Sequence, residues 1–290
     1  MPAILSRTIK NVVAESFLDL VYDGKTNVYI VIGKDTEWED ERTPVTPIPT
    51  IEFENDFRNN IVAGVRIVGR SCSLVVPSVT IEQGKEFNPL PTDVENPWDT
   101  TGWYGYNPVA GYMYECLKKG DGTVIQIPSE KKSKIDDSDG HSDGYQWRFL
   151  YDVDVPTLSS GLMLENWIPV PYGRLVDGEI QYGTITPNQL MYGDVYASLY
   201  LHAHHVLLNV ILSDDENDLL PEDISFRQVG ILVNPTTGGL TNERIPVAGD
   251  IVLPGADFDR DSGALIYFEN RVAVNRVVGQ KENVQLILDF

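Results

Sequence analysis

Tyr145-Gln146-Trp147-Arg148-Phe149-Leu150-Tyr151-Asp152-Val153-Asp154-Val155 alternates large apolar residues with polar ones almost throughout. Tyr145, Trp147, Phe149, Tyr151, Val153 and Val155 fall on one side of an extended chain. Gln146, Arg148, Asp152 and Asp154 share the other side with Leu150. Helical spacing would scatter those aromatics around a cylinder. The stretch therefore reads as a strand of an antiparallel sheet, one face packed and one in water. The C-terminal residues repeat the pattern: Val284, Leu286, Leu288 and Phe290 alternate with Gln285, Ile287 and Asp289.

Working outward, Asn27–Gly33 is a β-branched run typical of a buried strand. Two apolar runs lie within 65–81, one interrupted by Pro77, which predicts an edge or bulged strand there. Gly111–Leu117, Thr123–Ile127, 194–213, 226–233 and 264–278 also read as strands. Helical spacing is confined to the start: Ile9–Tyr22, carrying Val12, Val13, Phe17, Leu20 and Val21, and a short segment at Phe53–Ala63. Thr43–Thr50 holds three prolines and predicts a linker, and 84–110 a long loop. The expected fold is α+β, predominantly antiparallel β in sandwich-like layers, with a few short helices near the N-terminus. The expected division is an N-terminal α/β segment (1–85) packing with C-terminal strands (220–290), around a central β-rich region with long loops (86–219).

Composition narrows the function. The chain has 290 residues, 43 acidic and 22 basic, for a formal charge of −21. That field repels phosphate backbones and anionic lipid surfaces, so neither nucleic acid nor membrane is an expected partner. Its complement is a set of basic neighbours, or simply solvent. Cys72 and Cys116 stand far apart and form no metal-like spacing, as expected of thiols in a reducing cytoplasm. The N-terminal residues lack a signal-peptide pattern, and no run approaches the roughly 20 apolar residues of a membrane span.

Motifs that carry chemistry are scarce. His202 and His204 would share one face of a strand, a spacing some metal sites use, but no Cys stands nearby and any further ligand would be a distant carboxylate. Asp257–Gly263 has the alternating carboxylates of a calcium loop. Its glycine comes one position late, however, and Phe268 stands where a bidentate Glu belongs. Asp136–Gly144 is a second acidic, glycine-rich stretch of the kind turns select. The nucleophile-elbow, P-loop, dinucleotide-binding and zincin signatures are all missing. No catalytic residue, metal, cofactor or small-molecule substrate is expected. The remaining candidates are Trp98, Trp103, Tyr104 and Tyr106. Clustered aromatics on a surface segment suit a partner interface. They would equally serve as a cover folded over the core, or as a sugar-stacking platform in a carbohydrate-binding β-sandwich.

Several segments resemble the baseplate wedge proteins of T-even-type contractile-tailed phages. They are Val28–Gly33 followed by Trp38, Tyr114–Leu117, Asp143–Trp147, Phe226–Pro235, Gly263–Arg271 and Val284–Phe290, in the order the family has them. The resemblance implies a β-rich structural protein of several subdomains that forms a homodimer within each wedge. It further implies partners among the other wedge subunits and residence in the virion tail after synthesis in the host cytoplasm. No enzymatic activity or cofactor comes with it.

Overall fold

The computed structural model describes residues 7–22, 26–34, 36–47, 50–67, 72–89, 103–153, 167–170, 173–176, 179–182, 205–212, 224–238, 252–276 and 282–290. Two helices, α1 (Arg7–Tyr22) and α2 (Ile51–Asn59), precede most of the strands. The early strands are β1 (Val28–Gly33), β2 (Ile61–Arg66), β3 (Cys72–Pro77), β4 (Val79–Thr80), β5 (Tyr104–Asn107), β6 (Tyr112–Lys118) and β7 (Gln146–Asp152). The later ones are β8 (Trp167–Pro169), β9 (Gly173–Val176), β10 (Glu179–Tyr182), β11 (His205–Leu212), β12 (Ile224–Val233), β13 (Val252–Pro254), β14 (Ala264–Arg276) and β15 (Glu282–Asp289). The fold is β-rich α+β, with largely antiparallel pairing.

Two compact units form, one from 1–16, 73–207 and 287–290, the other from 17–72 and 208–286. The second contains a five-stranded sheet of order β13-β2-β1-β12-β14. Its β1 pairs antiparallel with both β2 and β12, and all six of its residues are buried, as a central strand covered on both faces requires. Tyr29, Val31, Phe57, Leu232, Leu253 and Phe258 make up its core, with Tyr29 meeting Phe258 edge-on at 5.4 Å.

Helix α2 begins where Thr50 accepts a hydrogen bond from the Phe53 amide, with Glu52 and Glu54 in the first turn favouring the positive end of the helix dipole. It stops at Asn59, and the sequence-expected helix to Ala63 is corrected: Ile61–Arg66 is strand β2. The β-branched Ile61, Val62 and Val65 favour a pleated surface, and Gly64 admits the Phe258 ring where a Cβ would stand 2.6 Å from Cζ.

The first unit contains the sheet β4-β5-β6-β7. Here the decisive strand differs from its sequence reading in one respect. Tyr112 pairs with Asp152 and Met113 with Tyr151, but Tyr114 pairs with Phe149, so Leu150 is an extra, bulged residue. The bulge reverses the alternation. Tyr145, Trp147 and Phe149 enter one core with Tyr114, Cys116, Ile81 and Phe87, whereas Tyr151 turns to the opposite face beside Met113. Both faces are packed, and the expectation of one wet face is corrected: Tyr151 and Met113 are as buried as Trp147. Gly105 of β5 lies under Ile81, whose Cγ1 would be 2.5 Å from any added Cβ, so the glycine gives Ile81 and Phe87 their seat.

Three further expectations change. Pro77 does not mark an edge: in the sheet β15-β11-β3-β8, β3 is interior, and Pro77 is its last residue, opposite Trp167. The expected loop 84–110 contains strand β5. Conversely, 123–127 is not a strand, because its donors go elsewhere: Val124 N–H to the Lys85 carbonyl, and Ile125 and Gln126 N–H to the Asp143 carboxylate.

Candidate interaction surface

The sequence offered four aromatic residues as contact candidates. Trp98 lies outside the described residues. Trp103, Tyr104 and Tyr106 are only 3%, 1% and 7% exposed. The cause is local: Tyr104 pairs with Glu115 and Tyr106 with Met113, placing both rings on the sheet face that carries Tyr151. Burial pushes the hydroxyls of Tyr106 and Tyr151 above the ordinary tyrosine range, with the neighbouring Tyr104 adding to the effect at Tyr151. These three rings are therefore interior in the single chain. They give it neither an exposed contact surface nor a sugar-stacking platform.

The acidic stretches are self-satisfied. Asp136 caps a single 3-10 turn, Asp137–Asp139, accepting the Ser138 amide while Asp139 accepts the amide of Asp136. Lys134 pairs with Asp136 at 2.7 Å, and Lys132 with Asp139. The Lys134 ammonium first, and the Ser138 hydroxyl and amide next, hold the Asp136 carboxyl well below the usual carboxylate range. Asp143 is buried and accepts three backbone amides, those of Ile125, Gln126 and Tyr145. It ties two loops to the start of β7.

In the second acidic stretch, Arg58 at the end of α2 donates to the carbonyls of Arg260, Ser262 and Gly263. A guanidinium thus occupies the Gly263 carbonyl, the position from which a calcium loop draws its backbone ligand.

His202 and His204 lie outside the described residues. His205 packs on Trp167 at 4.8 Å between centroids, with Asp289 Oδ1 3.7 Å from its Nε2. His141 is interior, 3.7 Å from Glu130 Oε2. Among the described residues no group of three or more His, Cys, Asp or Glu could hold a metal ion.

The surface that sequence reasoning missed is β14. It is the longest strand, 13 residues, and closes one edge of the five-stranded sheet. Its sequence opens with Ala264-Leu265-Ile266-Tyr267-Phe268, yet none of residues 264–275 is fully buried, and Ile266 and Val272 are 47% and 56% exposed. Its neighbour β12 is buried from Phe226 to Leu232. The signal was present as an apolar run without alternation, which one sequence cannot distinguish from a buried strand.

A groove of about 330 Å³ runs beside Leu265–Phe268, closed by Pro47 and Glu54. Farther along, residues 36–47 strap the sheet. Trp38 Nε1 donates to the Arg271 carbonyl, the Asn270 amide donates to the Val45 carbonyl, and Arg227 pairs with Glu41 at 2.7 Å.

The model of the family "Bacteriophage T4, Gp8" matches residues 111–290. The chain belongs to that family. It is also 22% identical to "Baseplate wedge protein gp8" of Enterobacteria phage T4, an alignment covering 92% of this chain and 90% of that protein.

The matched region contains β6 to β15, hence the bulged strand, the Arg58-held turn and the exposed β14. The gp8-family chain is a structural subunit of the tail baseplate and resides in the virion. No described helix is long and apolar enough to cross a membrane.

Proposed function

We propose that this gp8-family chain acts as a homodimeric, non-enzymatic subunit of the baseplate wedge, joining other wedge proteins through buried area and complementary charge rather than through a reactive site. The observation that carries the reading is the family match, together with an alignment that runs nearly end to end in both chains. Two features support it. The polar groups most suggestive of chemistry, Asp143, Arg58 and the Asp136–Asp139 turn, are consumed in holding loops. The long apolar strand β14 is left half-exposed, as an assembly surface would be.

Within the aromatic segment, Trp98 is the residue proposed to reach a partner, since Trp103, Tyr104 and Tyr106 are spent on the core. The test is co-expression with the other wedge subunits of the same phage, followed by isolation of the complex. Co-assembly, with a free chain of twice 32.4 kDa by light scattering, is the expected result. A free chain that stays monomeric removes the homodimer, and one that joins no wedge subunit removes the baseplate role. Trp98→Ala is expected to weaken co-assembly while leaving the urea midpoint unchanged.

A further inference from the structure

We propose that the free edge of β14 between Ala264 and Asn270 is the docking site for an extended, lysine- or arginine-bearing segment of another wedge subunit, which adds to the sheet as a sixth strand. The proposal rests on the baseplate reading above.

Four observations converge. An edge strand presents a row of backbone donors and acceptors without partners, and among the described residues no strand pairs with the outer side of β14. Proteins usually blunt such an edge with proline, inward charge, bulges or brevity; Ala264–Phe268 has no proline and no charge, belongs to the longest described strand, and carries a single bulge, which turns Ile266 out of the ladder with β12. Ile266 is 47% exposed, while Leu265 and Phe268 are only partly buried against the core, so the chain alone does not recover the full free energy of burying this stretch. The open groove beside them is lined by four consecutive strand residues, Leu265–Phe268, so a segment seated in it lies along the strand.

Charge decides the occupant. Glu54 lines the groove and among the described residues has no ion-pair partner, whereas Glu269 on the strand itself is already engaged by Arg271 and by the Tyr267 hydroxyl. The chain as a whole carries −21. A second copy would bring the same unneutralised Glu54 and the same negative field, and its own Arg271 is already paired. A basic segment supplies the missing cation and is steered to the edge by that field.

The experiment places a photo-crosslinking amino acid at Ile266 of the full-length chain, co-expressed with the remaining wedge subunits, and identifies the adduct by mass spectrometry. The expected adduct joins Ile266 to a Lys- or Arg-containing segment of a different subunit. Glu54→Lys is expected to lower its yield roughly tenfold at low salt, and Glu54→Gln less. Glu54 sits in the first turn of a largely exposed helix, and unchanged urea midpoints for both variants check that the fold is kept. A complex that assembles but shows no adduct at Ile266, or an adduct to a second copy of this chain, overturns the edge assignment and leaves the baseplate reading standing. A wild-type chain that enters no complex overturns both.

Discussion

Gly105 shows how much one missing methyl group decides. Ile81 and Phe87 reach the sheet only because nothing projects from β5 at that point. Gly105→Ala forces a contact far shorter than carbon atoms accept, and the neighbour is a packed branched side chain that cannot swing into solvent. A loss of about 1–3 kcal/mol is expected, read as a lower urea midpoint with unchanged slope. Asp143 is the polar counterpart. Its carboxylate replaces the ladder partners that Ile125 and Gln126 lack, so Asp143→Ala strands two partly buried donors and the buried Tyr145 amide and is expected to cost about 1–3 kcal/mol by the same measurement.

Acid acts elsewhere. The carboxyls of Asp136 and Asp139 are depressed in the folded chain, chiefly by their lysine partners. A depressed pKa means the contribution is fully present above the unfolded value near 4 and is lost as pH falls through the folded value. Protection of the Ser138 and Asp136 amides, measured as exchange relative to the intrinsic rate, is expected to fall as pH drops below about 4, and Lys134→Ala is expected to move that onset upward.

Among elements, β7 carries the most instructive difference between periodicity and structure. Alternation located the start of the strand within one residue and correctly drew Tyr145, Trp147 and Phe149 into one core. It could not register that Leu150 is unpaired, because a bulge is set by the partner strand: Tyr114 skips to Phe149 only because β6 offers one residue fewer. Deleting Leu150 is expected to remove the bulge and give a regular ladder with Tyr151 still opposite Met113, so the near-ultraviolet circular dichroism of the packed aromatics is retained.

From sequence the aromatic cluster at 103–106 was equally a partner surface or a cover over the core, and the structure makes it interior. Its location depends on Met113 and Tyr151, which are distant in sequence and fix which face of β5 is covered. The overrun of α2 has a similar cause: helical propensity beyond Asn59 is overridden by pairing with β1 and by the Phe258 ring. Arg58 was not legible at all, since nothing local ties it to carbonyls some 200 residues away. Arg58→Ala is expected to destabilise the chain by about 2 kcal/mol, with Arg58→Lys recovering only part, because a single ammonium cannot span three carbonyls as a planar fork does.

For the whole molecule, charge and surface point the same way. A body carrying −21 with a half-exposed apolar edge is soluble alone and sticky only to the right neighbour. Assembly into the wedge is therefore expected to slow as salt rises from about 0.05 to 0.5 M, with dissociation changing much less. Stopped-flow mixing of labelled subunits separates the two rates. Similar salt dependence in both would mean that attraction persists in the docked state and is not limited to encounter.

The pairing of β1 with β12 sets a schedule for synthesis. The strand Val28–Gly33 is apolar throughout and needs a neighbour on each side, but one of them is encoded roughly 200 residues later, which a ribosome adding about 5–20 residues per second reaches only after some 10–40 s. Throughout that interval the nascent chain displays a finished hydrophobic ribbon with nothing to close over it. Yield in the infected cell is then governed by whatever shelters the emerging N-terminal half, and slowing translation between codons 70 and 220 is expected to reduce soluble protein without altering a single contact of the finished fold.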